Sequence, residues 1–276
     1  MNRIQSLVND ALGTVTKSSK PKAANGFDAR EDGQPLGVCE SLQGMFESTG
    51  EVEDAHCIFT PLHYERNYAY PLIVWLHGPD DDERQVTRIM PLVSMRNYVG
   101  VGPRGTLAST QVAGGYSWSQ GQRHIVAAEQ RVLSAVAAAR RWLNVAPSRI
   151  YLAGYQGGGT MAFRIALNHP QLFAGVLSIG GGFPSTLCPL GQLHAARSLR
   201  TFLAIGKESK LYPEPQVCDD LRLFHAAGMS LNLRVYPCAD EVLSNMLSDM
   251  DRWIMEQVAP CEPVEQDQPD YRLRGK

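Results

Sequence analysis

The chain has no apolar run long enough for a membrane span, which takes about 20 predominantly apolar residues. Its most continuous run, "YPLIVWL", is far shorter. It has no excess of one charge either. Against 26 basic residues stand 28 acidic ones, a formal net charge of −2. No global field therefore draws it to nucleic acid or to an anionic membrane. Six cysteines (Cys39, Cys57, Cys188, Cys218, Cys238, Cys261) lie far apart and form no close pair of the zinc or redox kind. A chain of this size inside a cell needs no disulfide, and reduced, packed thiols are expected. The seven histidines lack metal-ligand spacing, so neither metal nor cofactor is expected. The start, "MNRIQSLVNDALGTVTKSSKPKAANG", lacks the continuous apolar core of a secretory leader. A cytoplasmic location follows as an expectation. No internal repeat or long low-complexity segment is present.

What is there reads as one domain. A length of 276 residues suffices for a large α/β unit, and an apolar fraction of 44% is ordinary for a globular chain. Residues 1–50 form a polar N-terminal arm and 259–276 a polar C-terminal tail. Ile4, Leu7, Val8 and Leu12 would share one face of a short helix, but a weakly docked arm is the preferred reading. Between the arms, over 51–258, short apolar runs alternate with helical patterns. "AHCIFTPLHYE" alternates as an antiparallel strand does, and "YPLIVWL" is apolar throughout, as a strand buried on both faces should be. "ERQVTRIMPLVSMRN" has helical spacing interrupted by Pro91, and "HIVAAEQRVLSAVAAARRWLNV" reads as a long amphipathic helix. Alternating strands and helices predict a mostly parallel sheet with helices on both faces. Ligands bind such sheets at the carboxyl ends of the strands. The acidic run Asp80-Asp81-Asp82-Glu83 reads as a solvated loop and helix start rather than a cation site.

The stretch "RIYLAGYQGGGTMAFRIALNHP" reads as strand, glycine-framed turn and helix. A nucleophile elbow needs small residues two places either side of the nucleophile, because the turn is tight. Gly154 and Gly158 meet that need around Gln156.

With "YPLIVWLHG", this stretch and "YPCADEVLSNMLSDMDRWI", the chain resembles α/β-hydrolases of the esterase, phospholipase/carboxylesterase and polyhydroxybutyrate-depolymerase-like group over roughly residues 55–258. The resemblance implies the α/β-hydrolase fold and a serine–histidine–acid triad. Carried over position by position, the triad fails. The serine position is Gln156, whose amide has no oxygen that a base could activate. The histidine position is Asp240, whose pKa lies far below that of imidazole. The acid position, in "GKES", is Ser209, which is uncharged; Glu208 beside it would be a displaced acid with no histidine to orient. One oxyanion donor would be the N–H after "HG", but Pro79 has none. The N–H of Gly157 remains. His77 and Gly78 complete the oxyanion region, with His77 expected to brace it, and Trp118 in "AGGYSWSQ" is a candidate pocket aromatic, as are Tyr116 and Phe183.

Candidates for substitute chemistry are Ser117, Ser178, Cys188 and Cys238 as nucleophiles and His124, His169 and His225 as bases; none has an obvious partner in sequence. His169 reads as a helix C-cap. The expected function is a catalytically degenerate homologue serving as a ligand-binding, regulatory or interaction subunit. Its partners would be a small carboxylate or other anion at the elbow helix, a second copy, or an active paralogue. The alternative is an active carboxylic-ester hydrolase with an unrecognised nucleophile and base.

Overall fold

The computed structural model describes residues 47–49, 55–184 and 193–258. The rest of the N-terminal arm, the C-terminal tail, Cys39, Cys188 and Cys261 lie outside them. The strands are β1 (Glu47–Thr49), β2 (His56–Phe59), β3 (Tyr70–Leu76), β4 (Val99–Pro103), β5 (Leu107–Ala108), β6 (Tyr116–Ser117), β7 (Val145–Tyr155), β8 (Gly175–Ile179), β9 (Arg200–Gly206) and β10 (Leu231–Tyr236). The helices are α1 (Gln85–Val93), α2 (Gln122–Trp142), α3 (Gly157–Asn168), α4 (Leu193–Ala196), α5 (Glu214–Ala227) and α6 (Ser244–Val258).

Eight strands form one sheet in the order β1-β2-β4-β3-β7-β8-β9-β10, and β5 and β6 pair separately. From β4 to β10 every pairing is parallel, while β2 runs antiparallel to β4 and to β1. This is the expected mostly parallel sheet. Its first strand, β1, falls inside the segment read as polar arm, because three residues at a sheet edge carry no periodic signal.

Two cores follow from the period-2 alternation of buried strands. Leu72, Val74 and Leu76 of β3 face one cluster with Val132 and Val136 of α2 and Phe163 of α3. Ile73 and Trp75 face the other, with Met90 of α1 and Leu247, Met250 and Ile254 of α6. All seven residues of β3 are buried, as its unbroken apolar run predicts. The four residues of β2 are also all buried, so its alternation sorts two cores rather than core from solvent. Pro91 does not interrupt α1; it lies in the last turn of that helix, where a missing N–H costs a single bond.

Among the described residues, no helix is long and apolar enough to cross a membrane. The parallel strands β3, β7, β8, β9 and β10 end at Leu76, Tyr155, Ile179, Gly206 and Tyr236, and the loops that follow build the site.

Candidate functional site

The turn between β7 and α3 is sterically crowded. A Cβ on Gly154 would lie 2.5 Å from the Gly158 carbonyl oxygen, and one on Gly158 would lie 2.6 Å from the His77 carbonyl oxygen. Only glycine fits either place. Gln156 stands between them at φ 49° and ψ −118°. A non-glycine residue in that region costs about 1–3 kcal/mol, held by its surroundings. Two of the holding bonds are visible: Gln156 N donates to Ile179 O at 2.8 Å and Thr160 N to Gln156 O at 3.0 Å. The backbone is that of a nucleophile elbow, and the side chain on it is an amide.

That amide is engaged. Gln156 Nε2 donates to Tyr155 Oη at 2.8 Å and to the Asp240 carbonyl at 3.2 Å. Tyr155 Oη donates to the same carbonyl. Main chain from the histidine position thus lies against the elbow side chain, but the Asp240 carboxylate is committed elsewhere. Ser209 Oγ donates to Asp240 Oδ1 at 2.5 Å, and the Lys210 and Leu211 N–H groups donate to the same carboxylate at 3.3 Å. Tyr212 N donates back to Ser209 Oγ at 2.9 Å. The residues that stand where the resemblance expects base and acid are therefore in contact, a carboxylate bonded to a neutral hydroxyl. Asp240 ties down the turn after β9. Glu208 is exposed, and it is Ser209 that meets Asp240.

On the oxyanion side, Pro79 and Gly157 line the same cavity. Pro79 has no N–H, and the Gly78 N–H donates to Gln85 Oε1 at 3.2 Å. The N–H of Gly157, first in α3, lacks an intrahelical acceptor and is the donor that remains. His77 is fully buried; its Nδ1 pairs with Gly78 O at 2.7 Å and its Nε2 accepts from Gly105 N at 2.8 Å. Burial lowers its pKa, so the ring stays neutral and braces the loop. Trp118 is not a pocket aromatic. It is 5% exposed, absent from the cavity lining, and donates Nε1–H to His77 O at 2.9 Å, an indole turned inward because its polar end finds a partner there. Tyr116 instead lies under the Arg104 guanidinium, and of the three aromatics Phe183 alone lines the cavity.

The acidic run is not a solvated loop. Glu83 is buried at 1% exposure and binds Arg104 through two bonds of 2.8 and 2.5 Å. Burial raises its pKa, but the Arg104 bond and charge outweigh this and hold it below the usual value. Asp81 pairs with Arg88 and accepts from Gln85 Nε2 at 2.6 Å, while Gln85 Oε1 accepts from Trp75 Nε1 at 2.7 Å. Asp80 accepts from Ser109 Oγ at 2.5 Å. Gln85 and Arg88 of the following helix, with Arg104 and Ser109 from farther along the chain, make these acids a brace for the oxyanion loop.

Among the described residues, which do not include Cys188, the substitute nucleophiles and bases do not assemble. Ser178 is buried behind the elbow and donates to Gly181 O at 2.6 Å. Ser117 Oγ accepts from Asp80 N at 3.3 Å. His124 Nδ1 lies 3.2 Å from Thr106 O, and His169, the C-cap of α3, pairs with Glu129 of α2 at 2.9 Å. His225 is exposed. Cys238 is buried, and burial raises its pKa, the reverse of an activated thiol.

The cavity over the elbow has a volume of about 460 Å³. No serine, cysteine, histidine, aspartate or glutamate is among the described residues that line it. Arg164 of α3 does line it, 2% exposed, with Nε–H donated to Gln120 Oε1 at 2.6 Å. Gln216 and Leu211 complete the far wall. That wall is tied together by Asp220, which accepts from Tyr212 Oη at 2.6 Å and Phe183 N at 2.9 Å. Sequence reasoning missed Arg164, Gln120 and Gln216. Only the first left a signal, an arginine inside the apolar stretch "MAFRIAL".

No protein-family model matches the chain. A stretch of 42 residues is 48% identical to NocK, a candidate esterase of Nocardia uniformis subsp. tsuyamanensis; the match spans 15% of this chain and only 12% of that protein. Among solved structures, a carboxylesterase from Mesorhizobium loti superposes with a TM-score of 0.63 at 15% identity, covering 76% of this chain and 99% of its own. Arabidopsis thaliana SOBER1 gives 0.59 at 16% identity over 69% and 100% of the two chains. The Bacillus cereus carboxylesterase gives 0.57 at 13% identity over 79% and 99%. At such identities the likeness speaks for architecture, and together with the sheet order and the elbow it establishes that this chain has the α/β-hydrolase fold.

Proposed function

We propose that this chain is a non-hydrolysing α/β-hydrolase homologue whose elbow cavity binds a small anionic ligand. The observation that carries the reading is the commitment of Asp240. At the position of the general base stands a carboxylate that accepts three hydrogen bonds from residues 209–211. It has no proton-shuttling imidazole to offer, and the elbow residue it would serve is an amide. The anionic preference has two supports: the first N–H of α3 borders the cavity, and the nearby carboxylates of Asp80 and Asp240 do not line it.

A second reading, an ester hydrolase using another nucleophile and base, is favoured by the likeness to proteins named as esterases. One experiment separates the two. Purified protein is assayed with p-nitrophenyl acetate and butyrate and treated with a fluorophosphonate. The proposal expects no turnover above buffer and no label. A label mapped to a single serine, with turnover that the label abolishes, favours the second reading instead.

A further inference from the structure

The main sheet has two edges, and they are not alike. β1 closes one with three residues, a short strand of the kind that blunts an edge. β10 closes the other with six, in unbroken parallel register with β9. Among the described residues, no strand pairs with its outer side. Soluble proteins guard such an edge with proline, a bulge or a charge, because its unpaired N–H and C=O groups are a template for another strand. The strand "LNLRVY" has no proline and one charge, Arg234. That guanidinium turns toward α6: its Nε donates to Asn232 Oδ1 at 3.4 Å, and its Nη1 lies 4.0 Å from Asp249 Oδ2.

The ladder fixes which main-chain groups are free. Lys207 N donates to Tyr236 O at 2.8 Å, so the main chain of Tyr236 turns to β9. Main-chain groups alternate sides along a strand, so those of Asn232 and Arg234 turn inward with it. The N–H and C=O groups of Leu231, Leu233 and Val235 therefore point out of the edge. The side chains of these three share one face of the sheet. Leu231 and Leu233 pack on the cluster that holds Phe163, while Val235 is 56% exposed.

The edge is complementary to itself. Antiparallel pairing about a two-fold axis at Leu233 sets Leu233 against its own copy and Leu231 against the partner's Val235. In each of these pairs both residues turn N–H and C=O to the other strand. Asn232 falls opposite the partner's Arg234, an amide beside a guanidinium. A two-fold at Arg234 would set two guanidiniums against each other, and one at Asn232 would pair fewer residues.

We propose that this chain forms a two-fold dimer in which the β10 strands of two copies pair antiparallel about Leu233 and join the two sheets into one. The assignment is independent of the elbow.

The test is sedimentation equilibrium of the full chain over a range of concentrations. A monomer–dimer equilibrium is expected. Val235→Lys sets an ammonium against the partner's Leu231 at both ends of the pairing and should weaken the dimer roughly tenfold or more. Its Tm at high dilution should match the parent's, since Val235 is exposed and its main chain faces away from β9. Leu233→Pro removes an outward N–H but no bond to β9, and should abolish the dimer. Leu233→Cys reports the register. Hydrogen-bonded antiparallel partners stand about 5.5 Å apart at Cα, within reach of a disulfide. Mild oxidation should link two copies through position 233, and adding Val235→Lys should suppress the link. The parent chain, with Cys218 exposed, is the control. A chain that stays monomeric at every concentration overturns the proposal. So does a dimer that neither Val235→Lys nor Leu233→Pro weakens, or a link at position 233 that forms equally well with Val235→Lys present.

Discussion

The corner around Gln156 and the paired loops carrying Ser209 and Asp240 meet at one site, yet they depart from a serine hydrolase in different ways. At the corner the backbone is intact and one side chain differs. Positive φ at residue 156 and two glycines without room for a Cβ are what a nucleophile elbow demands. In the loops, the two residues touch, and both side chains differ from those the resemblance expects. The elbow is locked by main chain packed against main chain, so no single polar side chain can decay it. The loops are joined by side chains, so their chemistry can change while the two positions stay together. Scaffold and reactivity are thus separable, and each can be tested alone.

The largest effect is expected at the corner. Gly158→Val would drive a side chain into the carbonyls of Leu76 and His77, against main chain that cannot give way. A loss of several kcal/mol, about 3 or more, is expected, with insoluble expression or a large fall in Tm. An unchanged Tm would break the comparison at its first term. Next comes the brace beneath the corner. Glu83→Gln leaves the Arg104 guanidinium facing a neutral partner at a site 1% exposed on the Glu83 side, and breaking such a pair costs about 3–5 kcal/mol. Because the pKa of Glu83 is held below its ordinary 4.5, the pair contributes fully above that pH and is lost as pH falls through the lower folded value. Acid unfolding of the variant should show a shallower dependence in that window.

The loops give a smaller but more specific signal. Gln156→Ser alone should create no esterase activity, since no base lines its cavity among the described residues. Gln156→Ser with Asp240→His and Ser209→Asp should hydrolyse p-nitrophenyl acetate weakly, because positions 209 and 240 already touch at 2.5 Å and residue 156 bonds the main chain of 240. The rate should stay low, since Pro79 withholds an oxyanion donor worth roughly 3 kcal/mol. A single Gln156→Ser variant as active as the triple one would sink the assignment of position 240. The smallest effect is expected from Gln156→Gly. It relieves a positive φ worth about 1–3 kcal/mol and forfeits two bonds of about 1 kcal/mol each, so Tm should move little. A large fall would mean that the amide, not the backbone, holds the corner.

The elbow was legible because its requirement is local: glycines at fixed offsets between an apolar strand and a helix. The parallel sheet was legible for a similar reason, since periodicity needs no coordinates. Trp118 misled, because loop position suggests exposure and only the His77 carbonyl turns the indole inward. The acidic run misled in the same way, since Ser109 and Arg104 arrive from distant segments.

The sequence by itself determined the parallel sheet and the strained turn at Gln156. These depend on periodicity, steric size and side-chain chemistry, which are properties of neighbouring residues. Only the tertiary structure decided that Ser209 and Asp240 bond each other, that Pro79 and Gly157 border one cavity, and that Arg164 lies buried beside it. Hydrogen bonds and burial act over a few ångströms between residues far apart in the chain, so they appear only once the strands have brought those residues together.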